Sequence, residues 1–245
     1  TPHESSAASD VYKRQDINTL KNIEIVDQNP IGRSSRSNPA TYSKAYDGIR
    51  KIFAQEGEKI DSQIKPSDFS FNVDGGRCDD CLGEGVKKIE MQFMADLFLE
   101  CSACKGKRFK KNILEVKHNG KNIHDVLELT IEQAIKFFSS ASTILKKLKP
   151  MFDVGLGYLR LGQSSSTLSG GEAQRLKLAS YLIEEKSPQN NSLYIFDEPT
   201  SGLHNKDIAY FMSSISRLID MGNSVVIIEH NTELIKQADL SLIHI

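Results

Sequence analysis

Residues 192–199 read SLYIFDEP and residues 223–230 read NSVVIIEH. Both stretches are short apolar runs rich in β-branched and aromatic residues, a composition that predicts buried strands. Between them, residues 205–222 have the apolar periodicity of a helix that ends at Gly222. A strand, a helix and a second strand in this order predict a right-handed crossover between two parallel strands. The sequence therefore predicts an α/β fold with a parallel sheet and flanking helices.

Acidic residues and a histidine follow these two strands: Asp197, Glu198, Glu229 and His230. Because parallel strands share a carboxyl edge, where α/β proteins bind ligands, we expect these side chains to lie together. Adjacent carboxylates repel each other unless a cation or a reacting proton uses them. One carboxylate suits Mg²⁺ and the other suits proton transfer from an attacking water, while His230 suits a terminal phosphate. Taken singly, each residue fits an ordinary strand end, but together they predict a phosphoryl-transfer site.

Residues 168–175 read LSGGEAQR. Ser169 and Glu172 have the spacing of a capping box, so a helix is expected to begin here. Gly170 and Gly171 leave the positive end of that helix, with its unpaired amides, open to an anion. When this stretch is taken alone, a helix start softened by glycine is the better explanation. The acidic strand ends nearby favour the phosphate-binding interpretation.

Taken together, these motifs resemble those of ABC-type ATPases. LSGGEAQR is similar to the signature motif, LYIFDEP to the Walker B strand, TSGLH to the D-loop and IIEH to the switch-histidine segment. The resemblance implies that Asp197 positions Mg²⁺, that Glu198 is the catalytic base and that His230 senses the γ-phosphate. It also implies that the signature motif binds ATP held on an opposing half, through Ser169, Gly170, Gly171 and Glu172.

A longer stretch, VDQNPIGRSSRSNPATY at residues 26–42, resembles more narrowly the UvrA family of excinuclease ABC proteins, the damage-recognising ATPases of bacterial nucleotide excision repair. This resemblance covers roughly residues 17–239 and implies that Gln28 is the Q-loop glutamine. It implies ATP and Mg²⁺ as cofactors. The implied partners are damaged double-stranded DNA, the helicase-like excinuclease protein UvrB and a second copy of the protein.

The sequence departs from this family in lacking a phosphate loop of the form G-x-x-x-x-G-K-[ST]. Its Gly-Lys pairs at 106–107 and 120–121 are followed by Arg108 and Asn122, so neither pair fits. We therefore expect a C-terminal part of a longer protein, and we expect no ATP hydrolysis from this part alone.

Two close cysteine pairs, CDDC and CSAC, are separated by nineteen residues. This spacing fits a four-thiolate structural zinc site better than disulfides, with Cys78, Cys81, Cys101 and Cys104 as ligands. Gly83, Gly85 and Gly106 permit tight turns in which amides point at the sulfurs. The alternating residues between the pairs predict a hairpin that Zn²⁺ staples. His118 and His124 are interpreted as surface residues.

Basic residues follow the second pair in the stretch KGKRFKK and surround Phe109: Lys105, Lys107, Arg108, Lys110 and Lys111. Such a run fits a phosphate-tracking surface, although a solvated face is its commoner meaning. The family resemblance favours contact with DNA through this module.

The chain has 245 residues, of which 39% are hydrophobic, enough for a core. Its 31 basic and 32 acidic side chains give a formal net charge of −1, so nucleic acid would need a local patch. No apolar run reaches the length of a membrane span, and no signal peptide begins the chain. We therefore expect a cytoplasmic protein that has no membrane partner, and the family resemblance implies a bacterial one.

Composition and motifs divide the chain into six segments. We expect a disordered or non-native leader at 1–15, a Q-loop part of the ATPase domain at 16–68, a zinc module at 69–112, a hairpin and helical connector at 113–150, the signature, Walker B, D-loop and switch-histidine part at 151–239, and a tail outside the family pattern at 240–245. Within the connector, Asn119–Gly120 predicts a hairpin turn and Thr130 a helix cap.

Two other functions remain open from the sequence. CDDCLGEG matches the C-x-x-C-x-G-x-G repeat of zinc-dependent chaperone modules, although such a module predicts further repeats and no Walker B strand. A transporter or chromosome-structure ATPase would share the ABC motifs, but the cysteine insert counts against both.

Overall fold

A computed structural model describes residues 20–32, 36–91, 96–183, 191–201, 203 and 205–242. The described strands are β1 (Asn22–Val26), β2 (Val86–Ile89), β3 (Leu97–Glu100), β4 (Ser192–Asp197) and β5 (Ser224–Ile228). The described α-helices are α1 (Pro39–Tyr42), α2 (Ala45–Glu58), α3 (Lys111–Glu115), α4 (Ile123–Leu127), α5 (Ile131–Phe137), α6 (Ser142–Met151), α7 (Gly170–Ile183), α8 (Asn205–Asp220) and α9 (Thr232–Ile235). Single 3₁₀ or π turns occur at Pro66–Phe69, Phe152–Leu156 and Ser165–Thr167.

Three strands form a parallel sheet in the order β1-β4-β5. Asn22 pairs with Ser192 on one side of β4, and Asp197 pairs with Ile228 on the other. Helix α8 connects β4 to β5, which confirms the predicted crossover between parallel strands. The carboxyl ends of all three strands therefore meet at one edge.

One face of this sheet packs against helices. Phe196 of β4 is fully buried, and its ring stands 6.1 Å from that of Phe211 on α8. The opposite face is open, since four of its apolar side chains are 47% to 69% exposed: Ile23, Ile25, Val226 and Ile228. The prediction of a buried strand is therefore right for the inward side chains of β4 and wrong for β5.

A helical layer continues the core away from the sheet. Helix α2 has the predicted apolar spacing, with Ile49 and Phe53 fully buried. The Phe53 ring lies 5.6 Å from that of Phe69, and the Tyr46 hydroxyl donates to the Phe69 carbonyl at 2.7 Å. These contacts fasten the segment that leads into the cysteine module to α2.

The connector differs from the prediction of a hairpin around Asn119–Gly120. The turn is present, because His118 and Lys121 exchange backbone hydrogen bonds of 2.9 and 3.0 Å. The residues before it form helix α3, however, which buries Ile113 against the core. The predicted cap is confirmed, since the Thr130 hydroxyl accepts from the Gln133 amide at 3.2 Å.

The two predicted end segments lie wholly or partly outside the described residues. The leader at 1–15 is not described, and the tail at 240–245 is described only as far as residue 242. Within the described part of the chain, no helix has both the length and the apolar character that crossing a membrane requires.

Candidate nucleotide site and metal centre

The carboxyl edge of β4 turns sharply at Glu198. This residue has a φ of 44°, a left-handed conformation that is uncommon for a side chain other than glycine. Its amide donates to the Ile228 carbonyl at 2.9 Å, so the turn begins while the chain is still bonded to β5. Unusual backbone conformations of this kind cluster at functional sites.

His230 leaves β5 beside this turn, as the crossover predicts. Its Nδ1 lies 3.8 Å from a carboxylate oxygen of Glu198 and 3.9 Å from one of Glu229. The His230 side chain is 82% exposed, whereas Glu229 is 2% exposed. The structure therefore brings Asp197, Glu198 and His230 to one edge, with Glu198 and His230 open to a ligand.

Gln28 joins this edge from the end of β1. Its side-chain amide donates to the Asp197 carbonyl at 3.3 Å. On its other side it packs against the start of α7, where a Cβ added at Gly170 would stand 2.7 Å from Gln28 Oε1. The glycine therefore permits the close approach of the signature helix to Gln28.

The signature motif has the predicted capping box. The Ser169 amide donates to Glu172 at 2.8 Å, and the Glu172 amide donates to the Ser169 hydroxyl at 3.3 Å. The Tyr158 hydroxyl donates to the second oxygen of Glu172 at 2.6 Å. Burial acts to raise the pKa of Glu172, but the hydrogen bonds from Tyr158 and Ser169 outweigh it and hold that pKa below its ordinary value. The signature turn is thus held by an ionised carboxylate.

Helix α7 is tied to the strand ends by two residues that the sequence analysis missed. The buried Gln174 side chain donates to the Val26 carbonyl at 2.7 Å and to the Asp197 carbonyl at 3.2 Å. Lys177, one turn later, donates to the Asp27 carbonyl at 3.1 Å and pairs with its carboxylate. The hydrogen bond from Lys177 holds the pKa of Asp27 below its ordinary value. The three-residue spacing of Gln174 and Lys177 is the feature of the sequence that could have indicated these contacts with the strand ends.

Glu229 lies at this edge as expected, but the sequence assigned it no role. Its carboxylate accepts hydrogen bonds from the Thr200 amide at 2.9 Å, the His230 amide at 2.9 Å, the Asn231 amide at 3.1 Å and the Thr200 hydroxyl. Burial acts to raise the pKa of Glu229, but these hydrogen bonds outweigh it and the pKa lies below its ordinary value. The sequence showed only an acidic residue at a strand end.

The four cysteines form a compact buried group at the base of the β2–β3 hairpin. All four sulfurs lie within 4.8 Å of one another, with Cys78–Cys101 at 4.0 Å and Cys81–Cys104 at 3.7 Å. Four sulfurs bound 2.3 Å from one zinc stand about 3.8 Å apart. The group could therefore hold a metal ion, and the predicted hairpin is confirmed.

Glycines shape the turns around these sulfurs. Gly83, Gly85 and Gly106 all have positive φ, and the Gly85 amide donates to the Cys81 sulfur at 3.2 Å. Burial raises the pKa of the Cys81 and Cys104 thiols above the ordinary value. Because a metal binds thiolates, loading this site would release protons.

The basic run divides into exposed and packed side chains. Lys105, Lys107 and Lys111 are exposed, and Lys110 pairs with Asp79 at 2.9 Å. Arg108 instead turns inward, where it stands 5.6 Å over the Phe71 ring and donates to the Gly162 carbonyl at 3.0 Å.

Phe109 is also buried, at 1% exposure. The aromatic ring that the sequence placed within a basic surface is therefore unavailable for stacking. The interpretation of the two histidines as surface residues is wrong as well. His118 is half-buried, with Nδ1 at 3.1 Å from Glu56, and burial lowers the pKa of the half-buried His124.

The parallel sheet with its flanking helices, the signature turn and the acidic strand end define part of an ABC-type ATPase domain with a four-cysteine hairpin insert. No family model matches the chain. UvrABC system protein A of Clostridium tetani is 52% identical over 223 residues, which cover 91% of this chain and 24% of that protein. UvrABC system protein A of Thermus thermophilus is likewise 52% identical over 223 residues, covering 91% of this chain and 23% of that protein. Over most of its own length, the chain is therefore similar to part of these UvrA proteins.

A solved structure shows the same similarity. UvrA2 from Deinococcus radiodurans superposes with a TM-score of 0.83 at 39% identity, over 94% of this chain and 29% of that one. The chain spans about a quarter of the length of the curated relatives it matches.

Proposed function

We propose that this chain is part of the damage-recognising ATPase of nucleotide excision repair, and that its sheet edge takes part in ATP hydrolysis. The observation that carries the proposal is the meeting of three separate segments at that edge. Gln28 donates to the Asp197 carbonyl at 3.3 Å, and Glu198 lies 3.8 Å from His230. Carboxylates, an amide and an imidazole in one open place suit Mg²⁺, water and a terminal phosphate.

Each residue at the edge has a proposed role. Asp197 holds Mg²⁺, which when bound neutralises charge on the phosphates. Glu198, half-exposed beside His230, accepts the proton of the attacking water. His230 contacts the γ-phosphate. Gln28 senses whether nucleotide is bound at the site.

The signature turn has a different proposed ligand. Ser169 is exposed at the beginning of α7, and Gly170 and Gly171 put no side chain over the first amides of that fourteen-residue helix. We infer that this turn, with Glu172 fixing its shape, binds the γ-phosphate of ATP held on an opposing half of the assembly. The site would then be completed only when two halves close.

The four-cysteine group is proposed to hold a structural Zn²⁺. Its sulfur spacing and burial suit tetrahedral thiolate coordination, which leaves no position for a substrate. The exposed Lys105, Lys107 and Lys111 beside it are the proposed DNA contacts, together with Lys110 once it leaves Asp79. Arg108 is better suited to hold the module against the ATPase core.

The partners follow from the proposed activity. They are damaged double-stranded DNA, a second copy of the protein and the excinuclease protein UvrB, in the bacterial cytoplasm. ATP binding and hydrolysis would change how the two halves close and therefore how DNA is held.

Replacing Glu198 in the full-length protein tests this function. We expect Glu198→Gln to lower the steady-state rate of ATP hydrolysis at least about a hundredfold, since a general base contributes on the order of 10²–10⁴-fold. Binding of a fluorescent ATP analogue should persist, because the substitution keeps the size of the side chain. Glu233→Gln on α9 is the matched control, since it removes only an exposed ion pair with Lys236. An undiminished rate in Glu198→Gln would remove the proposed base.

A further inference from the structure

The Glu229 side chain is buried at the sheet edge. Its neighbour His230 is 82% exposed, whereas the Glu229 side chain is 2% exposed. A buried carboxylate is costly unless hydrogen bonds satisfy it. Glu229 satisfies that condition with four donors, which come from two different loops.

The first loop follows β4. Thr200 is buried and gives Glu229 Oε1 both its amide, at 2.9 Å, and its hydroxyl. The Ser201 amide donates to the Glu198 carbonyl at 3.1 Å, so Glu198 and Thr200 belong to one tight turn. The position of Thr200 therefore determines where the Glu198 side chain points.

The second loop follows β5. The His230 and Asn231 amides donate to the other oxygen, Glu229 Oε2, at 2.9 and 3.1 Å. Asn231 in turn caps α9 through its bond to the Glu233 amide at 3.0 Å. One carboxylate therefore uses one oxygen for each loop.

We propose that Glu229 is a positioning residue for ATP hydrolysis, a clamp that fastens the Glu198 turn to the His230 loop so that both side chains face one phosphate. This inference rests on the proposed function and deepens it. The clamp requires a carboxylate, because all four groups around it are donors. The side-chain NH2 of a glutamine would place two N–H donors opposite the donors of one of the two loops.

Hydrogen–deuterium exchange of the full-length protein tests the clamp without reference to catalysis. In Glu229→Gln, which keeps one carbonyl oxygen, we expect at least one of the peptides covering 199–203 and 229–232 to take up deuterium at least about tenfold faster, because either the Thr200 amide or the His230 and Asn231 amides lose their acceptor. A peptide covering 224–227 should be unchanged, since the amides that donate to Glu229 are those of Thr200, His230 and Asn231. Unchanged uptake at both loops would overturn the clamp.

ATP turnover then tests the positioning role. We expect Glu229→Gln to lower kcat about tenfold to a hundredfold, as a displaced catalytic group does, with KM for ATP within about twofold. Thr200→Val removes only the hydroxyl donor and should lower kcat less. The double variant should be no slower than Glu229→Gln alone, because both changes release the same turn. Glu233→Gln again serves as the control.

The outcomes separate this inference from the function on which it rests. Suppose that the wild-type protein hydrolyses ATP, that Glu198→Gln abolishes this hydrolysis and that Glu229→Gln retains the full kcat. The positioning role is then overturned, and the proposed function stands. If the wild-type protein hydrolyses no ATP, the proposed function fails, and the positioning role fails with it even where deuterium uptake shows the clamp. Should Glu229→Gln not fold, a wild-type kcat and unchanged uptake in Thr200→Val would overturn the proposal.

Discussion

Gly170 begins helix α7 at a place where a side chain would meet Gln28. An added Cβ would stand 2.7 Å from Gln28 Oε1 and 2.9 Å from Gln28 Cβ. We expect Gly170→Ala to push Gln28 off the Asp197 carbonyl and to lower ATP turnover of the full-length protein about tenfold, the scale of a displaced positioning group. The free energy of unfolding should change by less than about 1 kcal/mol, since alanine is the better helix former.

Turnover assays and chemical denaturation measure both quantities. The control for this prediction is Gly170→Ala in a Gln28→Gly background, where the contacts with both Oε1 and Cβ of Gln28 are gone. A further tenfold loss in that background, or full turnover in Gly170→Ala alone, would contradict the steric explanation.

Single residues were predictable where the signal lies in neighbouring positions. The spacing of Ser169 and Glu172 was sufficient for the capping box. The inward packing of Arg108 was not predictable, because its acceptor, the Gly162 carbonyl, lies far along the chain. The same holds for Glu229, whose partner Thr200 precedes it by a whole helix and strand.

Elements were predictable where apolar periodicity is strong. Strand β4, the helices α2 and α8 and the β2–β3 hairpin all lie where the pattern places them. Residues 111–115 carry too few apolar positions to show a period, and the nearby Asn119–Gly120 turn suggested a hairpin in place of helix α3. Packing of Ile113 decided the outcome there, and packing is not visible in a local pattern.

The cysteine module is the element whose stability should depend most on a ligand. We expect protein prepared without chelators to contain about one zinc per chain, as a four-thiolate structural site does. Cys104→Ser should lower the zinc content and increase protease cleavage within the β2–β3 hairpin, because zinc binding and the stability of the hairpin depend on the same four sulfurs. Elemental analysis and limited proteolysis measure the two effects.

Ser102→Ala provides the comparison, since Ser102 is exposed between the paired cysteines. Its zinc content should equal that of the wild type. A wild-type content well below one zinc per chain would contradict the structural role of the metal.

At the scale of the whole molecule, the open face of the sheet is the most unusual surface. Ile25 is 69% exposed and lies on the same face of β1 as the exposed Ile23. Val226 of β5 is level with Ile25, and Ile195 of β4 lies between them. Contiguous apolar surface of this kind promotes association. Because this property depends on which strands lie side by side, the sequence pattern of each strand did not reveal it.

Replacing Ile25 tests that surface. We expect the 245-residue chain to self-associate with increasing concentration, and we expect Ile25→Lys to reduce the association several-fold in light scattering, since lysine on an edge strand opposes such contacts. Stability should change by no more than about 0.5 kcal/mol at so exposed a position. Ile60→Lys, at a position 67% exposed beyond helix α2, should leave the association unchanged. Equal association in the two variants would contradict a role for the sheet face.

The pairing of Asn22 with Ser192 also determines the order of events on the ribosome. Strand β1 is among the first described segments to be synthesised, yet its neighbour β4 emerges only after the cysteine module and seven of the described helices. At roughly 5–20 residues per second, translation of that interval takes on the order of ten seconds. Helix α2 and the cysteine module have time to form during this delay, whereas β1 waits for its described neighbour β4. A chaperone that protects the nascent chain would therefore be needed most before residue 192 emerges.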